Sequence, residues 1–374
     1  MAKQVCLYFQ VHQPNRLKNY TFFDIGHEHF YENDVLNKEI VYKVSEKCYL
    51  PANQMLFDAI EKHKGKLKVT YSLSGTLIEQ LEYFHPRVLG SFKRLARTGC
   101  VEFLAETYYH SLAFVYSKDE FVAQLKKHEE KIYEHFEVRP KIFRNTELIY
   151  DNALASFVQK RGYKGILTEG TDAHLNKKHP NQIFKIPGDN DIKVMLKNYK
   201  LSDDIAFRFE DKNWSGYPLT GSKFSDSVFN EKGDCVNLFM DYETIGEHHW
   251  HGSGIFDFWK NFIDDFIDRG GVFKSCSEAI ARRKPKQVYN VKEFISWADT
   301  DRDLSAWRSN SMQAEALHKI YGLEKYLKQV DDKDLWHIWR KLQTSDHFYY
   351  MSTKGADDGS VHSYFSPYNS PYDA

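Results

Sequence analysis

Short apolar runs alternate with stretches whose apolar residues recur every three or four positions, and the alternation continues from the amino terminus to about residue 285. The runs near 4–12, 67–74, 100–108, 141–147, 164–168, 235–241 and 272–276 are too short for helices, and they predict strands. Between them, 51–64, 86–98, 118–137, 151–161 and 254–269 predict helices. In 118–137, Phe121, Leu125, His128, Ile132 and Phe136 fall at helical spacing, and Gly162 closes the helix that follows. Strand followed by helix, repeated seven times, predicts an α/β barrel whose strand ends gather at one mouth.

Two stretches break this rhythm. Residues 170–191 and 209–233 are rich in Asn, Asp, Gly, Ser and Lys and read as surface insertions within a barrel domain spanning 1–285. From 286 to 374 the pattern turns helical: Leu304, Trp307, Leu317, Ile320, Tyr321, Leu327, Leu335, Ile338, Trp339 and Leu342 recur without intervening strands. The final stretch is aromatic-rich and is expected to pack onto the protein. A chain of 374 residues has room for a barrel of about 250 residues plus such an appendage.

Charge narrows the range of partners. The 51 basic and 52 acidic residues are spread along the chain, which leaves no electrostatic footprint for nucleic acid or an anionic membrane. A neutral partner such as a glycan suits this balance. No run reaches the ~20 apolar residues of a membrane span, and the first strand is too short for a secretory signal, so a soluble cytoplasmic protein is expected. The odd, scattered cysteines, Cys6, Cys48, Cys100, Cys235 and Cys276, predict reduced core thiols.

The predicted strand ends carry His12, Glu102, Glu106, Glu147, Asp241 and Glu278. Glycosidic-bond chemistry needs two carboxyl groups, one to attack or stabilise the anomeric carbon and one to protonate the leaving oxygen. Glu147, delivered by Lys141–Tyr150, and Asp241, which ends Val236–Met240, fit those roles. Each also has a plain structural reading, Glu147 as an ion-pair partner of Arg144 and Asp241 as a strand-closing turn residue. Glu243 and Glu247 near Asp241 would raise its pKa by like-charge repulsion.

His12 leads into Gln13-Pro14, whose extended backbone would leave its ring at the mouth. Glu102, Glu106 and Tyr108 would share one strand face. Asp303 and Trp307 lie one helical turn apart and could offer a carboxylate and a stacking ring. Trp250, Tyr242, Trp214 and Tyr217 are further stacking candidates. His248, His249 and His251 with Asp241, Glu243 and Glu247 invite a metal-site reading, but three imidazoles within four residues without HExxH spacing favour contacts to sugar hydroxyls or plain exposure.

Five ordered segments resemble glycoside hydrolase family 57, in particular its α-amylase-type members: HQP at 12–14, CVEFLAETYYH at 100–110, FRNTELIY at 143–150, MDYETIGEHHW at 240–250 and SEAI at 277–280. SWADTDRDLSAW at 296–307 resembles the family's helical segment. The resemblance implies an incomplete (β/α)7 barrel with a C-terminal helical bundle packed on its mouth, and cleavage of α-1,4-glucosidic bonds with retention. Position by position it makes Glu147 the nucleophile and Asp241 the general acid/base, their carboxyl groups ~5–5.5 Å apart. It places His12 and Glu102 beside the scissile bond, and Gln10 where other members can have His. Substrate contacts are expected from Gln10, His12, Glu102, Glu106, Tyr108, Arg144, Tyr242, Glu243, His248, Trp250, Asp303 and Trp307. The implied partner is an α-glucan or maltooligosaccharide, with no cofactor and no metal. A 4-α-glucanotransferase or branching enzyme would use the same carboxylates. A metal-dependent polysaccharide deacetylase and an idle glycan-binding protein are the competitors from other classes.

Overall fold

The long apolar runs are buried along nearly their whole length, the signature of parallel strands covered on both faces. A computed structural model describes residues 2–188, 190–354 and 366–374. Its strands are β1 (Gln4–Val11), β2 (Val69–Leu73), β3 (Val101–Phe103), β4 (Ile142–Arg144), β5 (Gly165–Thr168), β6 (Ile183–Lys185), β7 (Lys193–Leu196), β8 (Val236–Asp241) and β9 (Val272–Phe273). Every predicted run holds one of them. β6 and β7 are additional: β6 falls inside the segment read as an insertion, and each is too short to stand out from its polar surroundings.

One parallel sheet has the order β3-β2-β1-β8, with β9 beside the first residues of β1. The other sets β4, β5 and β7 in parallel, with β6 antiparallel on β7. Ala105 joins the sheets, its N–H donating to the Ile142 carbonyl at 3.0 Å and its own carbonyl accepting from Arg144 N–H at 2.9 Å. On the far side Asn198 N–H donates to the Asn237 carbonyl at 2.9 Å. Backbone bonding therefore passes through β1, β2, β3, β4, β5, β7 and β8 and returns to β1. The register pairs Gln10 with Asp241 at the ends of β1 and β8.

All five predicted helices are present, as Leu50–Lys62, Pro86–Arg97, Lys118–Phe136, Asn152–Gln159 and Ile255–Asp268. Ser117 and Asp151 cap two of them through their side chains. The predicted face of Lys118–Phe136 is the buried one. Gly221–Asn230, within 209–233, packs on Ile255–Asp268, with the rings of Phe224 and Phe262 4.9 Å apart.

Cys6, Tyr8, Leu104, Ile142, Leu167, Met195 and Phe239 form a cluster that Cys276 and Ile280 close at the strand starts. Short helices follow at Ser305–Arg308, Ser311–Gly322, Glu324–Leu327, Lys333–Lys341 and Ser345–Tyr349. They share a core with the second sheet through Trp307, Leu317, Tyr321, Trp339 and Phe348. Ser345 N–H donates to the His110 carbonyl at 2.9 Å, and Arg340 is paired with buried Glu120 at 2.9 Å. The five cysteines are buried free thiols. Among the described residues no helix is long and apolar enough to cross a membrane. In the aromatic tail Tyr368 lies against Tyr350, while Tyr364 and Phe365 fall outside the described residues.

Candidate active site

β4 ends at Arg144 and the chain turns sharply through Thr146–Leu148. Glu147 and Leu148 have φ of 53° and 51°, a left-handed conformation that costs a non-glycine residue about 1–2 kcal/mol. The surroundings enforce it: Thr146 Oγ1 donates to the Ser111 carbonyl at 2.8 Å, and Trp297 N–H donates to the Glu147 carbonyl at 3.1 Å.

The buried Glu147 carboxylate is held at both oxygens. His110 Nε2 lies 2.8 Å from Oε1, and Trp297 Nε1–H donates to Oε2 at 2.5 Å. The other His110 nitrogen, Nδ1, lies 3.3 Å from Glu106 Oε2, an oxygen that Arg144 Nη1 approaches at 3.5 Å. Burial pushes the His110 pKa down, but its bonds to Glu106 and Glu147 outweigh this and lift it to about 9. Burial alone would raise Glu106, yet His110 and Arg144 hold it below the usual carboxylate range. His110 is thus an imidazolium donating through both nitrogens.

His12 stacks on His110 with ring centroids 4.0 Å apart. Burial first, and the His110 charge second, bring His12 down to about 4, so it is neutral. Its Nε2–H then donates to Asp346 at 3.1 Å and its Nδ1 accepts from Ser74 at 2.6 Å.

Asp241 closes β8, and it lines the same two clefts as Glu147, of about 720 Å³ and about 480 Å³. The two catalytic candidates therefore face one space. Two residues on, Glu243 accepts from Tyr49 Oη at 2.5 Å and from Gln13 Nε2 at 3.4 Å. Burial, reinforced by the Asp241 charge, raises Glu243 to about 8. Glu243 consequently holds its proton at neutral pH, with the Asp241 charge helping to keep it there. Tyr49 reaches it from the π-helical turn Ser45–Tyr49, an irregularity common at functional sites. The larger cleft carries a buried charge network in which Lys197 pairs with Asp203 at 2.9 Å and Arg302 with Glu169 at 2.7 Å.

A model of glycosyl hydrolase family 57 matches residues 6–292. The chain belongs to this family. A Methanocaldococcus jannaschii protein named as a candidate α-amylase is 40% identical over 98% of this chain and 80% of its own length. The fold is shared with a Thermococcus kodakaraensis branching enzyme (TM-score 0.70, 12% identity, 97% of this chain and 87% of that one). It is also shared with the 4-α-glucanotransferase of Thermococcus litoralis (TM-score 0.63, 16% identity, 94% of this chain), of which this chain spans about half, 51%.

The glycoside hydrolase brings together Glu147, Asp241, Gln10, His12, Glu243 and His248 at its clefts. Arg144 and Glu106 sit behind Glu147 and act on it through His110. Other expected contacts lie elsewhere. β3 ends at Phe103, so counting alternate residues onward to Tyr108 does not follow the backbone. Glu102 accepts from Ser277 N–H at 2.9 Å, at the strand-start end, and Tyr108 donates to Glu79 at 2.6 Å. Glu278 caps its own helix at Ser275. Tyr242 is core, its hydroxyl bound to Asn53 at 2.7 Å. Trp307 is buried in the apolar cluster, and Asp303 caps Ser305. Trp250 lines a separate surface groove with Tyr217, while Trp214 covers Gly216.

The imidazole cluster does not assemble. His248 faces the clefts, His249 bonds Glu210 at 2.8 Å, His251 is exposed, and Glu247 pairs with Lys43 at 2.8 Å. His12, His110 and Asp346 do lie close enough together to share an ion, and here their polar atoms bond to one another, to Ser74 and to Glu147. Sequence reasoning missed His110, Trp297, Asp346, Lys197 and Arg302. His110 and Trp297 were within reach, since both lie in segments that carried the resemblance; Asp346 has no local signal.

Proposed function

We propose that this family 57 enzyme is a retaining α-amylase-type hydrolase of α-1,4-glucans, with Glu147 as nucleophile and Asp241 as general acid/base. The observation that carries the reading is the cleft that a carboxylate fixed at both oxygens shares with Asp241 and with Glu243, which burial raises to about 8. Glu147 attacks the anomeric carbon while Asp241 protonates the departing glycosidic oxygen; Asp241 then removes a proton from water, which displaces Glu147. Gln10 Nε2 is buried in the smaller cleft without a hydrogen-bond partner among the described residues, and we assign it a sugar hydroxyl. The relative named as a candidate α-amylase supports the substrate class. We read the ring of strands as an incomplete (β/α)7 barrel of residues 1–285, with the helices of 286–374 packed at its mouth. The buried thiols suit a reducing, cytoplasmic setting.

Following maltooligosaccharide products and their anomeric form over time tests this. The α-anomer should appear first, and Glu147→Gln should lower kcat by about 1000-fold or more. Products longer than the donor would replace hydrolysis with glucanotransfer on the same carboxylates, and a β-anomeric first product would remove the retaining mechanism.

A further inference from the structure

The nucleophile candidate belongs to a buried chain of alternating charge, Arg144, Glu106, His110 and Glu147, linked by contacts of 3.5, 3.3 and 2.8 Å. The chain balances while Glu147 is a free carboxylate. We propose that His110 is the positioning cation of the reaction: it stays bonded to Glu147 through the cycle, keeps that carboxylate ionised for attack, and receives it back as the leaving group when the glycosyl ester breaks. This rests on the reading of Glu147 as nucleophile.

The electron count explains why a cation is useful in both halves. In the first, a Glu147 oxygen bonds to the anomeric carbon and the bond to the departing glucan breaks. Its electron pair goes to the glycosidic oxygen, which takes the Asp241 proton. Glu147 has then lost its charge while Arg144, Glu106 and His110 keep theirs, leaving one net positive charge behind the ester. In the second, Asp241 takes a proton from water, the water oxygen bonds to carbon, and the ester electron pair returns to Glu147 beside that charge. Glu106 is what lets His110 stay protonated while Glu147 is esterified.

The geometry holds the ring in place. His110 has φ of 51°, its carbonyl accepts from Ser345 N–H, and neutral His12 covers its face at 4.0 Å. The titratable and charged groups around it are Glu106 and Glu147 at its nitrogens, His12 on its face with Asp346 beyond, and Arg144 and His128 beside Glu106. Asp241, Glu243 and His248 lie across the same cleft.

The test uses the full chain and an aryl α-maltooligoside whose good leaving group makes ester breakdown rate-limiting. For His110→Gln, and for His110→Asn, which tolerates the left-handed backbone, kcat should fall about tenfold or more with KM unchanged or lower. The acid limb of kcat/KM should move up by about one pH unit or more, because Glu147 loses its cation. An acid limb left in place in either folded variant overturns the proposal. Glu147→Ala with azide is the separate control: restored turnover giving a glycosyl azide keeps the nucleophile reading, and no rescue overturns it and the proposal together. If both His110 variants fail to fold, ¹⁵N resonances of the wild-type ring decide, and a neutral His110 at pH 7 overturns the proposal.

Discussion

Glu243 stands two residues from Asp241, buried, and is raised to about 8 by burial and by that neighbour's charge. Gln keeps the size of the neutral acid but cannot ionise. Glu243→Gln should therefore remove the ionisation near pH 8 from the alkaline limb of kcat, read from a pH–rate profile. At this scale the sequence was legible where a strand end exposes a carboxylate, as at Glu147 and Asp241. It was illegible where a role depends on a contact across the fold, as when Asp346 meets His12 and Lys197 meets Glu169. Glu102, Tyr108 and Tyr242 were misplaced because side-chain alternation loses meaning once the strand has ended or when both faces are covered.

The turn after β8 is wedged against the π-helical turn Ser45–Tyr49. Gly246 has φ of 108°, and a Cβ there would lie 2.0 Å from the Lys47 carbonyl oxygen, so neither the conformation nor the space admits a side chain. Gly246→Ala should lower stability by about 1–3 kcal/mol in denaturant unfolding and cut kcat, since the displaced turn carries Glu243 away from Tyr49. Wild-type kcat in this variant would show that the wedge has no part in the site. The helices were legible as elements because their apolar faces are long, as in Lys118–Phe136. β6 and β7 escaped notice because three or four residues between polar stretches give too little periodicity to register.

Over the whole molecule, the buried groups pull stability in opposite directions with pH. His12 and His347, each brought to about 4 chiefly by burial, bind fewer protons folded than unfolded between pH 4 and 6.5, so stability rises there. Glu243, raised from 4.5 to about 8, binds an extra proton when folded and offsets part of that rise, and His110, raised from 6.5 to about 9, does so above pH 6.5, so stability falls as pH climbs from 6.5 to 9. Tm should peak near pH 6.5, and Glu243→Gln should flatten its decline up to pH 8; a Tm still rising at pH 8 would contradict this. The repeating strand–helix order announced the ring of strands, but the closures at Ala105 and Asn198 each rest on one residue and leave no periodic trace. Glu147 takes side-chain donors from His110, upstream, and from Trp297, far downstream and beyond the family-matched span. A ribosome-bound chain that has already emerged past both carboxylates still lacks the indole that binds Glu147, so this pocket is completed only when a segment beyond the matched span has been made.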